Sequence, residues 1–541
     1  MYQPLTAPIA DSLGLSALLA AIPLLVVFLL LGVLRVRAHW AGLAGLAAAL
    51  VIAVLGYGMP ADLALLSAGQ GAAFGVLPIL WIVITAIWLY QLTVRSGRFE
   101  DLRASFALLS PDPRIQAVVI AFCFGGLLEA LAGFGAPVAI TGMMLVAIGF
   151  PPLRAAVTVL LANTAPVAFG ALSTPIITAG ELTGIPYEHI GAVVGRQTPL
   201  LAVLVPVLLV LVVDGRRGVR QTWPAALVTG VAFAVAQFVC ANYISVPLTD
   251  IVSALVGAVA LVVLLRFWQP AGSTEAQADL TSGATAVPER QLNTGRIVLA
   301  LFPYLLVIAV FSVVKLWEPL GDALAATDVE IPWPGLHGAL LSASGEPASS
   351  TVFTLSWLSS PGSLLLLCGI GVVLVYRIKP TTALAELGRT VVSMRWSGLT
   401  IISVLALAYV MNQSGQTTTI GTAIAGLGTA FAFLSPVLGW IGVAVTGSDT
   451  SANALFASLQ QVAAERVGVD PALLVAANTS GGVMGKMISP QNLTIVATAV
   501  GVAGSEAKVL RDVLKWSLGL LLALCALVFL QSNVLSWMLP R

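Results

Sequence analysis

The sequence predicts an all-α polytopic membrane protein of about fourteen transmembrane segments, arranged as two inverted-topology repeats with broken or re-entrant helices near the midplane. Three observations support this prediction. The chain is 58% hydrophobic and only 9% charged, many of its apolar runs could cross a hydrocarbon layer of about 30 Å, and glycine and proline interrupt several of those runs. The runs lack the alternation of barrel strands, so we expect helices, which satisfy their backbone polar groups internally.

The apolar segments fall on both sides of one polar stretch. That stretch, from Gln269 to Gly295, is rich in Ser, Thr, Ala and Gly and contains four charged residues without apolar periodicity, so we interpret it as a cytoplasmic linker. The predicted organisation is a first transmembrane repeat (1–222), a connecting helix pair (223–268), the linker (269–296) and a second repeat (297–541). The predicted segments lie near 13–34, 40–57, 73–94, 115–132, 136–150, 155–180, 190–213, 223–242, 250–267, 297–316, 361–376, 397–412, 430–446, 452–463, 472–501 and 514–537.

Basic residues predict which loops face the cytoplasm. The stretch 317–361 has no Lys or Arg and several acidic residues, so we place it outside the membrane, together with both termini. The basic clusters that we place inside are Arg35 and Arg37; Arg95, Arg98, Arg103 and Arg114; Arg216, Arg217 and Arg220; Arg377, Lys379, Arg389 and Arg395; and Lys508, Arg511 and Lys515.

Two pairs of motifs suggest an internal repeat. "AGFGAP" (132–137) and "TGSDTS" (446–451) are separated by the same number of positions, to within one residue, as the two Ala-Asn-Thr triplets at 162–164 and 477–479. The basic loops predict opposite directions for the helices that lead into the first pair of motifs. Matched spacing with opposite orientation favours an inverted repeat, and a chance match of short motifs is the alternative.

Composition argues against several classes of function. The net charge is +1 and the pI is about 7.7, so neither a nucleic-acid partner nor an acidic tail is indicated. The four cysteines lie far apart in or beside apolar runs, as buried packing residues do, and the chain has only three histidines. We therefore predict no metal site and no cofactor.

The first polar constellation surrounds Glu129, in "GGLLEALAGFGAP". Gly133, Gly135 and Pro137 follow it closely, and such a sequence breaks a helix. Broken backbone at membrane depth is tolerated only where it lines a cavity or is buried in protein. The free N–H groups of a half-helix attract anions, so we expect a site for carboxylate-sized anions.

The two Ala-Asn-Thr triplets place an amide and a hydroxyl beside sequences that can break a helix. Asn163 and Thr164 precede a proline, while Asn478 and Thr479 precede Ser-Gly-Gly. If the two elements face each other, they could hold one small substrate between them. The alternative is that these side chains cap helices or join neighbouring helices.

Three charged residues lie in long stretches without other charge: Glu129, Asp449 and Lys486. Charges inside a membrane are costly, so they are functional candidates. Burial favours the neutral form of a carboxyl group, so the two acids could load and release a proton. Lys486 could pair with a substrate carboxylate or with either acid, and a permanent structural ion pair, for instance Asp449 with Lys486, is the alternative.

Four stretches closely resemble the bacterial lactate permease family: "EALAGFGAPVAI" (129–140), "LLANTAPVAFGALSTPI" (160–176), "GSDTSANALFASLQ" (447–460) and "LLVAANTSGGVMGKMISPQN" (473–492). The resemblance implies a multi-pass secondary transporter of the bacterial cytoplasmic (inner) membrane that moves lactate or glycolate with protons. Ala136 and Ala452 stand where the family commonly has Thr and Ser, which leaves the preferred hydroxy acid open. The family residues carried over onto this chain are Glu129, Gly133, Gly135, Asn163, Thr164, Asp449, Asn478, Thr479, Lys486 and Gln491.

Residues and resemblance together predict proton-coupled symport of L-lactate, D-lactate and glycolate by alternating access, with Glu129 and Asp449 as the proton-coupling residues. A sodium-coupled carrier, with oxygens of Ser448, Thr450 and Asn453 as ligands, is one alternative. A membrane-embedded enzyme with Asp449 and Glu129 as acid and base is another, although no nucleophile with a partnered base is present. The predicted substrate-binding residues are Gly133, Gly135, Asn163, Thr164, Ser448, Asn478, Thr479, Lys486 and Gln491.

Overall fold

The structure is a computed structural model that describes residues 1–107, 109–133, 135–281, 293–341 and 347–540. The side chains of residues 106, 107, 132, 315 and 316 are not described. Part of the predicted linker (282–292) and part of the predicted external loop (342–346) lie outside the described residues.

Helices dominate the chain up to residue 281, and most of them coincide with the predicted apolar segments, although a short helix at Ser273–Leu280 lies inside the predicted linker. Segment 155–180 is the main exception in form, since it divides into two helices. In chain order the helices are α1 (Leu13–Phe28), α2 (Ala38–Leu55), α3 (Ala61–Phe74), α4 (Trp81–Arg95), α5 (Arg98–Ala107), α6 (Pro113–Ala117), α7 (Gly125–Ala132), α8 (Ala136–Ala147), α9 (Pro152–Ala162), α10 (Gly170–Thr183), α11 (Tyr187–Ala202), α12 (Val205–Val239), α13 (Thr249–Phe267) and α14 (Ser273–Leu280).

The part after the linker is also mainly helical, with one small sheet. Strands β1 (Val329–Pro332) and β2 (Val352–Leu355) pair antiparallel, with Val329 opposite Leu355. This hairpin lies in the predicted external loop and is an exception to the all-α prediction. The helices are α15 (Thr294–Leu316), α16 (Glu318–Ala325), α17 (Pro361–Val375), α18 (Pro380–Ser414), α19 (Gln416–Ala425), α20 (Phe431–Thr446), α21 (Asp449–Val467), α22 (Pro471–Lys486), α23 (Pro490–Ala499) and α24 (Glu506–Gln531).

Ten helical stretches among the described residues are long and apolar enough to cross a membrane, or eleven if α9 and the bent helix after it form one span. The expected number of about fourteen is not confirmed, and neither is the inverted repeat. One stretch, Tyr187–Ile244, has 58 residues. A straight helix of that length would measure roughly 87 Å, so this stretch contains more than one crossing. It is interrupted at Asp214 and Gly215, where the backbone is not helical.

Large apolar side chains cover the outside of the bundle, as expected where lipid is the solvent. Leu55, Phe267 and Leu374 are among the most exposed of them. The interior combines a continuous apolar core with buried polar residues, including glutamines, threonines and several charged groups. All four cysteines are buried, which agrees with their predicted packing role. The polar groups of the interior are therefore embedded in an apolar core.

One arginine that the sequence assigns to a cytoplasmic loop is fully buried. The guanidinium of Arg114 bonds Asp112 at 2.7 Å, Asp214 at 3.2 Å and the carbonyl of Ala271 at 2.8 Å. Burial would raise the pKa of Asp112, but hydrogen bonds from Arg114 and Ser273 outweigh it and hold that pKa below its usual range. Arg114 therefore fastens the start of α6 to the break in α12 and to the linker.

Glycines let α20 and α22 pack closely. A Cβ on Gly481 would overlap the carbonyl of Pro436, and a Cβ on Gly485 would overlap that of Trp440. Small residues permit such close approach between helices in membranes. The predicted break at residues 480–482 is therefore wrong: α22 continues through them to Lys486 and ends before Pro490.

Candidate functional site

A small cavity lies where the ends of several broken helices meet. The cavity has a volume of about 30 Å³. On the same scale one water molecule occupies roughly 10 to 15 Å³. The cavity must therefore widen before it can hold a small organic anion. Its lining residues are Glu129, Gly133, Val167, Gly170, Ala171, Pro175, Gly447, Ser448, Asp449, Thr450 and Lys486.

Irregular backbone builds one wall of this cavity. Gly133 ends α7 with φ −33° and ψ −149°. After α9 the chain bends by 62°, and Ala171, Leu172 and Ser173 then adopt left-handed φ values of 44°, 54° and 61°. Three consecutive non-glycine residues in this region are strained, and such strain persists only where the surrounding structure enforces it. The predicted rule that broken backbone lines a cavity holds here.

A buried ion pair occupies the centre of the site. Nζ of Lys486, at the end of α22, donates to Oε1 of Glu129 at 2.5 Å. Nδ2 of Asn163 donates to the other carboxylate oxygen, Oε2, at 2.9 Å. Glu129 is 2% exposed and Lys486 is 7% exposed. Both oxygens of Glu129 thus have a donor, as a buried carboxylate requires.

Glycine makes room for this carboxylate. A Cβ on Gly170 would lie 2.9 Å from Oε1 of Glu129 and 3.1 Å from its Cγ. Any side chain at residue 170 would therefore push the carboxylate away from Lys486. Gly170, which follows the first Ala-Asn-Thr triplet, therefore has a steric role: its backbone is extended, with φ −63°, and does not itself require glycine.

The carboxyl group of Asp449 is buried without a hydrogen bond. It is the first residue of α21, it is 4% exposed, and neither of its oxygens has a partner among the described residues. Ser448 caps the helix, accepting a hydrogen bond from the backbone N–H of Ser451 at 3.2 Å. Because Ser448, Asp449 and Thr450 all line the cavity, the positive end of the α21 dipole faces the cavity.

The second Ala-Asn-Thr triplet belongs to a different network. Nδ2 of Asn478 donates to Oδ1 of Asn453 at 2.9 Å, and Oδ1 of Asn478 accepts from Gln460 at 3.3 Å. Nδ2 of Asn453 reaches Thr479 at 2.9 Å and the carbonyl of Pro175 at 3.1 Å. This network joins α21 and α22 to α10, and it reaches the cavity lining only at Pro175, since Asn453, Asn478 and Thr479 are not among the lining residues. The alternative function, bonding between helices, fits this triplet.

Three other predicted binding residues also lie outside the cavity lining. The hydroxyl of Thr164 donates to the carbonyl of Leu161 in its own turn at 2.6 Å. Gly135 has φ +87° and starts α8 against Ile495, to which a Cβ would come within 2.6 Å. Gln491 is exposed and lies beside Gly447. The structure therefore brings together Glu129, Gly133, Ser448, Asp449 and Lys486, with Asn163 one hydrogen bond away.

The structure also corrects the ion pair considered from the sequence. Lys486 bonds Glu129 rather than Asp449. Asn453, a predicted sodium ligand in the alternative interpretation, has its oxygen bonded to Asn478 and Thr479. No group of three or more His, Cys, Asp or Glu residues that could hold a metal occurs in the described part of the chain.

Sequence reasoning missed one acidic residue near the site. Asp250, in the first turn of α13, is fully buried, and neither of its oxygens has a hydrogen-bond partner in the described structure. Its charge interacts with those of Glu129 and Lys486. The signal in the sequence is a lone acid at the start of a long apolar run, the predicted segment 250–267.

The arrangement can exchange one anion for another. Lys486 and the N-terminal end of α21 offer positive potential to a carboxylate. Glu129 is a carboxylate already bound to that lysine. A second carboxylate entering the cavity must compete with Glu129 for Lys486, and one of the two must then lose its charge or its partner.

Comparisons with known proteins show similarity to permeases over nearly the whole chain. A sequence profile described as L-lactate permease matches residues 16–535. The L-lactate permease of Bacillus subtilis (strain 168) is 44% identical, over 98% of this chain and 99% of that protein. Glycolate permease GlcA of Escherichia coli (strain K12) is 43% identical, over 100% of this chain and 99% of that protein. Both names are those of transporters, so the prediction of a transporter rather than an enzyme is confirmed.

Solved structures give a weaker likeness. The crystal structure of the Alcanivorax borkumensis YdaH transporter aligns with a TM-score of 0.47 at 16% sequence identity, covering 87% of this chain and 88% of that one.

Proposed function

Because the chain belongs to the L-lactate permease family, we propose that it carries L-lactate and related small 2-hydroxymonocarboxylates across the bacterial cytoplasmic membrane together with protons. D-lactate and glycolate are the other proposed substrates. The observation that carries the proposal is the buried pair of Lys486 and Glu129 in a cavity at the ends of broken helices.

The substrate carboxylate binds Lys486 in place of Glu129. The N-terminal end of α21 lies on the same cavity and adds positive potential for an anion. Asp449 can donate a hydrogen bond to the substrate in its neutral form, which desolvation favours for a buried carboxyl group without a partner. The 2-hydroxyl group contacts Ser448 or Thr450, which line the same cavity.

Charge balance accounts for the proton. With Asp449 neutral, Lys486 and Glu129 cancel each other, and the site carries no net charge. A bound monocarboxylate adds one negative charge and takes the lysine from Glu129. Glu129 then binds one proton, because an unpaired carboxylate buried in protein is strongly disfavoured. The simplest stoichiometry is one proton per monocarboxylate.

Neutrality of the loaded site suits movement across the membrane. Each uncompensated charge would work against the membrane potential at about 2.3 kcal/mol per 100 mV. Broken helices near the midplane are the usual place for substrate in carriers that work by alternating access. The small cavity and the strained turn at Ala171–Ser173 are elements that opening to either side would have to rearrange.

The test is uptake of labelled L-lactate into proteoliposomes that contain the purified chain. An inward proton gradient without sodium should drive accumulation above equilibrium, and a protonophore should abolish it. Accumulation driven by an inward sodium gradient at equal pH, and not by protons, would contradict the proposal.

Substrate class is tested separately, by competition in lactate exchange at equal pH on both sides. D-lactate and glycolate should inhibit, whereas propionate, which lacks the 2-hydroxyl group, should inhibit at least about tenfold more weakly because the hydroxyl partners are left unpaired. Equal inhibition by propionate would remove the hydroxyl group from the recognition scheme.

A further inference from the structure

Asp250 is a buried acid that the exchange of carboxylates does not use. It is fully buried, neither carboxyl oxygen has a hydrogen-bond partner in the described structure, and it does not line the cavity. A membrane helix rarely contains such a residue without a function, because burying it is costly. Its position in the first turn of α13 could simply favour the helix dipole. That explanation does not account for its burial inside protein.

Packing places Asp250 at the level of Glu129. Helix α13 packs against α7, and a Cβ on Gly126 would lie 3.4 Å from Cβ of Ala254. Glu129 follows Gly126 by one helical turn, and Asp250 precedes Ala254 by one turn. The charges of Asp250, Glu129 and Lys486 interact with one another.

Residues at the strained turn contact both Glu129 and the segment that precedes Asp250. Gly170, just before the turn, contacts Glu129, and Ala171 lines the cavity. The hydroxyl of Ser173 donates to the carbonyl of Val246 at 2.8 Å, in the short segment that leads into α13. The titratable groups that interact with Asp250 are Glu129 on α7, Lys486 on α22 and the thiol of Cys240. Glu129 is therefore the acid that Asp250 can influence.

We propose that Asp250 is a second proton-binding residue of this carrier, which supplies the proton that neutralises Glu129 when substrate takes Lys486. In this step the O–H bond of the Asp250 carboxyl breaks and an O–H bond forms on Glu129. The charge of Asp250 is then cancelled by a proton from solvent, so the balance remains one proton per substrate. The proton reaches Glu129 from the α13 side, apart from the substrate in the cavity. This inference rests on the proposed proton-coupled function.

Three variants test the role of Asp250: Asp250→Asn, which cannot bind or release a proton; Asp250→Glu, which keeps the carboxyl group; and Ser253→Ala, a buried control one turn further along α13. Lactate exchange at equal pH requires no net proton transfer, so it should fall less than net uptake does in Asp250→Asn, and Ser253→Ala should exchange within about twofold of native. Net uptake driven by a pH gradient should fall about a hundredfold in Asp250→Asn, the range that one proton-transfer group contributes.

The pH profile separates a proton-binding role from a structural one. Asp250→Asn should lose part of the dependence of net uptake on external pH, and Asp250→Glu should restore the dependence with a shifted midpoint. If Asp250→Asn does not yield folded protein, the shifted midpoint in Asp250→Glu still tests the inference. Native pH profiles in both variants, with proton-driven uptake by the native chain, would overturn this inference alone. No proton-driven uptake by the native chain would overturn the proposed function itself.

Discussion

The two Ala-Asn-Thr triplets have identical sequence and different structures. Residues 162–164 end α9 at a bend, and the amide of Asn163 bonds the buried carboxylate of Glu129. Residues 477–479 lie inside the unbroken α22, and the amide of Asn478 bonds Asn453 and Gln460. The first triplet serves the cavity, and the second joins helices.

The residues that follow each triplet explain the difference. Pro166 cannot donate a backbone hydrogen bond and clashes with a preceding turn, so the helix stops before it. Gly481 and Gly482 cost a little helix propensity, but they let α20 and the side chain of Asp449 approach α22. Glycine in a membrane helix can therefore mark close packing as well as a break.

Helix α22, the region of the second triplet, contributes Lys486 to the cavity. Removing this lysine should have the largest effect on transport. In Lys486→Ala the substrate loses its cation and Glu129 loses its partner. A broken buried ion pair is worth about 3 to 5 kcal/mol, so lactate exchange should fall at least about a hundredfold. Lys508→Ala, at an exposed lysine, is the control and should exchange normally. Unchanged exchange by Lys486→Ala would move the binding site elsewhere.

Gly481 tests whether the second region is built for packing. A Cβ at this position would overlap the carbonyl of Pro436, so Gly481→Ala should destabilise the protein by about 1 to 3 kcal/mol. The measurement is the midpoint of thermal unfolding in detergent. Gly388 is an exposed helical glycine whose Cβ would meet nothing within 4 Å, so Gly388→Ala should be neutral or stabilising. Equal midpoints for the two variants would refute the packing explanation.

Substitution of the two asparagines should affect different properties, uptake for Asn163 and stability for Asn478. Asn163→Ala removes a donor from Glu129 and should reduce proton-driven uptake about tenfold, the effect of one charged hydrogen bond. Asn478→Ala removes one hydrogen-bond partner from Asn453 and one from Gln460, so it should lower stability by about 1 to 3 kcal/mol and change the KM for lactate less than Asn163→Ala does. Uptake and thermal midpoints, measured on both variants, compare the regions directly. The same pattern in both would remove the distinction between them.

The smallest effect is expected at Thr164. Its hydroxyl donates to the carbonyl of Leu161 in its own turn, and such local bonds contribute little to function. Thr164→Val should therefore change lactate uptake by less than about twofold. A large loss would show that this hydroxyl turns toward the substrate during transport.

Sequence predicted the membrane character and most helix positions because a bilayer allows few alternatives. A long apolar run must become a helix, and an isolated charge within one must have a partner or a function. Glu129, Asp449 and Lys486 were found by that rule, and all three line the cavity. The break at Gly133 was also predicted from its neighbours.

Tertiary contacts decided the features that sequence missed. The choice of Glu129 over Asp449 as partner of Lys486 depends on which helix ends meet, which no local pattern contains. Asp250 looked like the polar edge of an apolar run, but packing against α7 buries it fully. Gln491 lies in a resembling motif, yet it is exposed and contacts the lining residue Gly447 without lining the cavity itself.

In the proposed mechanism, substrate replaces Glu129 at Lys486, and Glu129 then binds a proton. The most direct measurement is the proton uptake of purified protein when lactate binds, followed with a pH indicator in weak buffer at several pH values. We expect native protein to take up close to one proton per lactate bound, and Glu129→Gln to bind lactate with no proton uptake. Equal proton uptake by the native protein and by Glu129→Gln would show that Glu129 is not the group that binds the proton.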